Sequence, residues 1–398
     1  MKLIARPAYL EKLIGFKEKQ LIKVITGIRR CGKSTLLEMY RQWLLEHGVG
    51  SDQIIAINFE DYDFYELRQA QLLHSYVKQR LRRGRTTYIF FDEVQHVENF
   101  AEVVDSLYIR AGVDLYITGS NAYMLSSQIA TLLSGRYVEI PVLPLSFREY
   151  VDGRGAASNL AQKYSEYISW GSFPYVLDLE EWGQVSTYLS GIYDTVVVKD
   201  IVSRNKISDV LMLESVIRFL ADNIGNALSM KKISDTMVTD GRKMDSKTVE
   251  RYVAALCESF VLYRAMRYNI RGKQLLKTME KYYLVDMGLR RVLLGSRSFD
   301  AGRILENVVY LELLRREPEV YVGKMDNLEV DFVVRNDQGL AYYQVAATVR
   351  SEDTLRRELA SLQRIKDQYP KWILTLDEDP DADYDGIRRI NALRWLLG

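Results

Sequence analysis

The sequence predicts an α/β protein whose first third is built on a parallel sheet, and three observations carry that reading. An apolar run, Leu21–Thr26, leads into Gly27, four further residues and Gly32-Lys33-Ser34, and then into a helical repeat from Ser34 to His47. A second apolar run, Tyr88–Phe91, ends in Asp92-Glu93, and a third, Val113–Thr118, ends in Gly119-Ser120-Asn121. Short apolar strands separated by helical segments are the pattern of crossover-connected, parallel strands.

The first of these units is a GxxxxGK[ST] loop between a strand and a helix. Glycines let successive backbone N–H groups turn inward around an anion, and the following helix adds the positive end of its dipole. Gly27, Arg30, Cys31, Gly32, Lys33, Ser34 and Thr35 are therefore the candidate nucleotide-binding residues, with Lys33 reaching the phosphates and Ser34 ligating Mg²⁺ of bound ATP. In the helix, Leu36, Leu37, Tyr40, Leu44 and Leu45 are expected on the apolar face.

The second run reads as a buried central strand that delivers two acids. Asp92 is the candidate to hold Mg²⁺ together with Ser34, and Glu93 the candidate general base for the attacking water. At the end of the third run, Asn121 or Ser120 is placed to sense the terminal phosphate; a plain helix N-cap at Ser120 is the alternative. Arg136 follows, in a loop, as a candidate cation for the transition-state charge, acting within its own subunit or on a neighbour. It reads equally as a surface arginine.

Composition sets outer limits. A chain of 398 residues is long for one core and suggests two or three domains. With 47% apolar and 27% charged residues it reads as an ordinary globular protein, and a net charge of +1 confines any nucleic-acid affinity to local patches. Two cysteines, Cys31 and Cys257, and three histidines without ligand spacing give neither a disulfide framework nor a zinc site. The opening residues lack the apolar run of a signal peptide, and no uncharged apolar stretch is long enough to span a bilayer, so a cytoplasmic protein with no membrane association is expected.

Taken together, "TGIRRCGKST", "FFDEVQ", "TGSNA" and "SGRYVEI…PLSFREY", with "WGSFPYVL", "KDIVSRNKI", "KYYLVDMGLR" and "ILENVVYLELLRR" downstream, resemble the bacterial and archaeal AAA-type ATPases that carry a C-terminal domain of unknown function. The resemblance covers nearly the whole chain. It implies an AAA-like ATPase core over residues 1–150, a helical and winged-helix domain over 151–298, and a small α/β restriction-endonuclease-like domain over 299–398. It also implies a homo-oligomer, possibly a ring, and makes "SGRY" the usual place of an arginine sensor or finger.

In the middle segment, Met230–Met237 and Lys247–Ser259 read as a helix pair around a Gly241 loop, with Ser246 as the cap of the second helix and Val249, Val253 and Leu256 facing inward. Strands Leu262–Tyr268 and Lys281–Val285 follow, with a wing between them that turns at Gly272. Lys247 and Arg251 on the second helix, and Arg267, Arg271 and Lys273 with Arg264 and Lys277 around the wing, form a local basic excess suited to DNA phosphates. Packing against a protein neighbour is the alternative use. The basic run Lys78–Arg85 reads as cations at a helix C-terminus, with a DNA-facing patch as the alternative.

The tail places Glu306 on a helix, Asp331 within a strand and Gln344 on the next strand, an order that resembles the PD-(D/E)xK nuclease core. Ala346 stands where that core needs its lysine, and Gln344 where it needs a carboxylate, so little or no nuclease activity is expected and the site reads as degenerate, with a purely structural role for Glu306 and Asp331 as the alternative. Lys324 is a candidate migrated lysine. Arg350–Tyr369 is expected as a helix. The reading that unites these parts is an ATP-hydrolysing machine that binds, translocates or remodels DNA. The alternative is a nucleotide-switched regulator acting on a protein partner.

Overall fold

The computed structural model describes residues 3–119, 133, 135–155, 159–239, 244–295 and 300–398. The chain divides into two compact units, one over Leu3–Pro144 and one over Leu145–Cys257 and Val261–Gly398.

The first unit opens with α1 (Pro7–Gly15) and β1 (Ile22–Thr26), followed by α2 (Lys33–Glu46), β2 (Ile54–Asn58), α3 (Ala70–Arg80), β3 (Thr87–Asp92), α4 (Phe100–Tyr108), β4 (Val113–Gly119) and β5 (Tyr137–Pro141). The five strands form one parallel sheet in the order β2-β3-β4-β1-β5. β1 and β3 are buried along their whole length, as central strands covered on both faces must be. One side of the sheet carries a core that joins Ile22, Val24, Ile89, Phe91 and Ile117 to α3 and α4 through Leu73, Val77, Val104 and Leu107. On α2, Leu36, Leu37, Tyr40 and Leu44 are buried, whereas Leu45 is exposed, one step beyond the edge of the apolar stripe.

The lower end of this sheet hides a polar network inside a strand that reads as wholly apolar. Lys23 of β1 and Asp114 of β4 form an ion pair in which both side chains are buried. Asp114 also accepts from Tyr116 Oη at 2.9 Å and from the Glu18 amide at 2.8 Å, and Tyr116 Oη lies 2.9 Å from Tyr40 Oη of α2. Burial draws the Lys23 ammonium below its ordinary pKa, with Asp114 working the other way. The network ties β1, β4 and α2 together in the register Lys23 opposite Tyr116.

The second unit starts with α5 (Phe147–Arg154), α6 (Leu160–Trp170) and α7 (Trp182–Asp194), which runs on into a π-helical segment, Thr195–Val202. It continues through α8 (Val210–Asp222), β6 (Ala227–Leu228), α9 (Met230–Thr239), α10 (Ser246–Glu258), β7 (Leu262–Asn269), β8 (Gln274–Leu284) and α11 (Met287–Leu294). Then come α12 (Ala301–Arg316), β9 (Glu319–Met325), β10 (Leu328–Asn336), β11 (Gly339–Ala346), α13 (Glu352–Gln363), β12 (Lys371–Thr375), β13 (Ala382–Tyr384), β14 (Ile387–Asn391) and α14 (Ala392–Leu397).

Two of the sequence segments quoted above meet here through one side chain. Asp286 is fully enclosed at the start of α11, where it accepts from the Leu289 amide at 2.7 Å and from Ser172 Oγ at 2.7 Å. A Cβ on Gly288 would come within 2.5 Å of the Trp170 carbonyl, so "WGSF" and "VDMG" close on each other through glycine.

β7 and β8 form a hairpin longer than the expected wing. The Asn269 side chain accepts from the Gly272 amide at 2.9 Å and closes a tight turn, so Gln274 onward is already strand. This hairpin is not a separate module. β7 pairs in parallel with β9, and one nine-stranded sheet, β13-β14-β12-β11-β10-β9-β7-β8-β6, crosses the expected boundary at 298/299. α13 is shorter than the expected 350–369 helix: Ser351 caps its start, and the chain has left the helix well before Pro370, where the preceding residue is pushed out of the helical region.

The Lys23–Asp114 pair yields a stability test. Asp114→Ala leaves a buried ammonium without its counter-charge and should cost about 3–5 kcal/mol, read as a lowered midpoint in urea. Lys23→Met combined with Asp114→Leu should recover most of that loss.

Candidate functional site

The upper ends of β1, β3 and β4 converge on the glycine loop. Gly27 has φ of +142°, and a Cβ there would stand 2.1 Å from the Val142 carbonyl, so both conformation and space demand glycine. Arg30 and Gly32 also adopt positive φ, which lets the loop double back before α2 starts with Gly32 as its N-cap. Arg6, itself buried, donates to the Cys31 carbonyl at 3.0 Å and the Leu143 carbonyl at 2.9 Å, bracing the loop from behind. Cys31 is enclosed in that brace, and burial raises its thiol pKa, which makes it a packing residue of the loop. Lys33 is 3% exposed. Its Nζ donates to the Gly27 carbonyl at 3.0 Å and lies 3.7 Å from Glu93 Oε1. Thr35 follows Ser34 in the first turn of α2.

Asp92 and Glu93 leave β3 toward the same loop. Burial raises the Asp92 pKa, against the pull of the Ser34 and Thr118 hydroxyls, which lower it. Thr118, on β4 between β1 and β3, donates to Asp92 Oδ1 and accepts from the Glu93 amide at 2.8 Å. Glu93 has φ of +54°, a conformation that costs a non-glycine residue energy and re-aims its carboxylate out of the strand direction. Gln95 donates to that carboxylate. Thr118 escaped the sequence reading because it precedes the polar triplet Gly119-Ser120-Asn121 and looks like ordinary strand. Ser120 and Asn121 lie outside the described residues.

A further group stands beside β2. Glu60 Oε1 pairs with Arg29 of the loop at 3.0 Å and has His96 Nε2 at 3.9 Å. His96 and Arg29 together hold the Glu60 carboxyl down at about 2. The loop is thereby tied to the segments that follow β2 and β3.

Arg136 is placed elsewhere. Its carbonyl accepts from the Ile22 amide at 2.8 Å, so it lies where β5 begins, whereas the glycine loop follows the end of β1. The parallel strands separate the two by roughly 16 Å, taking about 3.3 Å per residue. The guanidinium pairs with Asp105 and lies 5.6 Å from the Tyr108 ring centroid, both on α4. Action on its own subunit's loop does not fit this position.

The residues expected to meet DNA separate into two groups. Lys247, Arg251 and Lys273 are exposed. Arg271 is exposed but pairs with Asp326 at 3.1 Å. Arg267 is a correction: its side chain is 12% exposed and lies 3.5 Å from Glu329, so it serves the interior of the sheet.

In the tail, Glu306 of α12 and Asp331 of β10 do come together, but Gln344 of β11 does not join them as a third ligand. Its carboxamide accepts from the Asp331 amide at 3.2 Å and donates to Glu358 at 2.8 Å. Ala346 is a core residue. Lys324 lies on β9, and the lysine that reaches the acids is instead Lys281 of β8, 2.8 Å from Glu306. It went unnoticed because it lies outside the tail, in the first residue of "KYYLVDMGLR".

Comparison with known proteins agrees with the first unit. A family model described as an AAA domain matches residues 19–151, and one described as a domain of unknown function, DUF8612, matches residues 161–300. A solved Walker-type ATPase of Pyrococcus abyssi superposes over 73% of this chain and 95% of its own, with 16% identity and a TM-score of 0.48. An uncharacterized protein of Haemophilus influenzae is 41% identical over 99% of both chains, and the uncharacterized protein MJ1544 of Methanocaldococcus jannaschii is 30% identical over 79% of this chain and 72% of its own. The chain therefore belongs to one family with these Haemophilus and Methanocaldococcus proteins, and its first unit is an AAA-type P-loop domain.

Proposed function

We propose that the first unit binds Mg-ATP and hydrolyses it, with Lys33 on the phosphates, Asp92 and Ser34 on the metal, and Glu93 as general base. The observation that carries this reading is the convergence of Ser34, Asp92, Glu93 and Thr118 on the mouth of the glycine loop. The donor set suits Mg²⁺: the Ser34 hydroxyl and the Asp92 carboxylate are both hard oxygen ligands, and the hydroxyl acts on the carboxylate's pKa. Bound there, the ion would neutralise phosphate charge. The chain's own residues do the remaining work. Backbone amides of Gly32 to Ser34 and the α2 dipole hold the phosphates, Lys33 exchanges the loop carbonyls for phosphate oxygens, and Thr118 keeps the two acids in register. Glu93 takes the proton of the attacking water. Asn121, two residues after β4 in sequence, is carried forward as the candidate sensor.

Arg136 fits a role in trans, supplied by one copy to the loop of the next in a homo-oligomer or ring. Its partial exposure at the end of the sheet away from its own loop favours that reading.

The same proposal couples hydrolysis to DNA, through exposed Lys247, Arg251 and Lys273 with Arg271 at the hairpin turn. A nucleotide-switched regulator acting on a protein partner is the second reading. The ion pairing of Arg264, Arg267 and Arg271 with Glu280, Glu329 and Asp326 favours it, because it thins the basic surface. The steady-state ATPase rate with single-stranded, duplex and branched DNA separates them: several-fold stimulation by one form supports the DNA machine, and no stimulation supports the switch.

Three outcomes follow for the site. Glu93→Gln should retain ATP binding and slow turnover by about 10²-fold or more, measured by phosphate release. Thr118→Val, nearly isosteric, should lower kcat by about 10- to 100-fold through misplacement of Asp92 and Glu93, with ATP affinity little changed. Arg136→Ala should be slow alone yet regain turnover when mixed with Glu93→Gln, since the mixed interface combines an intact base with an intact arginine; no recovery on mixing would remove the trans role.

A further inference from the structure

The acids of the tail point at a cation that the chain itself supplies. Glu306 on α12 and Glu329 and Asp331 on β10 surround the tip of Lys281, which is 3% exposed. Its Nζ lies 2.8 Å from Glu306 Oε1, 2.8 Å from Glu329 Oε1 and 3.6 Å from Asp331 Oδ1. A nuclease-type divalent ion would have to bind these same oxygens, at about 2.0–2.6 Å, in space the ammonium fills, and its charge would repel the lysine.

Two of these carboxylates have further partners. Glu306 Oε1 also accepts from Tyr283 Oη at 2.7 Å, and Asp331 Oδ2 accepts from the Val345 amide at 2.9 Å. Gln344 is spent on Glu358 and on the Asp331 backbone. Among the described residues no group of three His, Cys, Asp or Glu side chains is arranged to hold a metal ion. The residues present therefore do not fit the ion that the resemblance to a nuclease core implies.

We propose that Lys281 is the resident cation of this site: its ammonium does for Glu306, Glu329 and Asp331 what a divalent metal would do, and makes the site metal-independent. Burial works to strip the Lys281 ammonium of its proton, but Glu306, Asp331 and Glu329 outweigh it and hold the pKa above the ordinary lysine range. The cation arrives on the hairpin strand β8, whereas the acids sit on α12 and β10, so the same contact welds the hairpin to the tail. The lysine missing at Ala346 has a counterpart in space, but one that occupies the metal's position instead of standing beside it.

The test uses the full chain, free of nucleotide and carrying Asp92→Asn to silence the P-loop, with Mn²⁺ as the probe, followed by electron paramagnetic resonance and by thermal melting in EDTA or MnCl₂. The parent should bind no Mn²⁺ at submillimolar concentration and should melt at the same temperature in both media. Lys281→Ala should melt lower in EDTA, take up one Mn²⁺ per chain and recover part of its melting temperature in MnCl₂. Adding Glu329→Gln to Lys281→Ala relieves acid–acid repulsion and supplies a second variant should the first not fold. Saturable Mn²⁺ binding by the parent that Asp331→Asn abolishes would overturn the proposal, as would folded Lys281 variants that gain no Mn²⁺.

Discussion

Thr118 carries the geometry of the P-loop unit. β4 separates the loop strand β1 from the acid-bearing strand β3, so Asp92 and Glu93 cannot be held in place by β1 directly. One hydroxyl bridges the gap by donating to Asp92 and accepting from the Glu93 amide. The backbone at Glu93 is in the left-handed region, and that conformation persists only where neighbours over-determine it. Thr118, Gln95 and Lys33 are those neighbours. At the opposite end of the sheet the buried Lys23–Asp114 pair keeps β1 and β4 from slipping. A slip of one residue would turn Thr118 to the wrong face.

The second unit is organised by two buried charged residues that flank the end of β8. Asp286 closes the glycine-rich contact between the segment after α6 and the start of α11. Lys281 gathers three carboxylates from α12 and β10. Both lie in "KYYLVDMGLR". The hairpin and the tail share one nine-stranded sheet, so the two segments that the sequence suggests are separate modules are parts of a single sheet.

Much of the P-loop site was legible because its chemistry is local. Gly27, Gly32, Lys33 and Ser34 sit within one loop, and Asp92-Glu93 ends an apolar run, so spacing alone brings them to attention. The residues that hold them are not local. Arg6 reaches the loop from the N-terminal helix, Thr118 acts across the sheet, and Lys23 hides as a charge within an apolar strand. Arg136 shows the converse: its residue type suggests a phosphate contact, but only the direction of β5 shows that it stands at the end of the sheet away from its own loop, which leaves the loop of another copy as its target. In the tail the order Glu306, Asp331, Gln344 was readable, while the partner that neutralises the acids comes from a strand that looked like part of another domain. Arg267 is hidden from sequence reading for the same reason, since the carboxylate beside it, that of Glu329, lies on β10. No helix among the described residues is long and apolar enough to cross a membrane.

The central claim is that the glycine loop is a nucleotide site, and equilibrium binding tests it most directly. Titration calorimetry of ATP with Mg²⁺ into the full chain should give one nucleotide per chain, with binding weakened by at least an order of magnitude in Lys33→Ala. ATP binding that is absent from the wild-type chain, or that survives Lys33→Ala unchanged, would contradict the account.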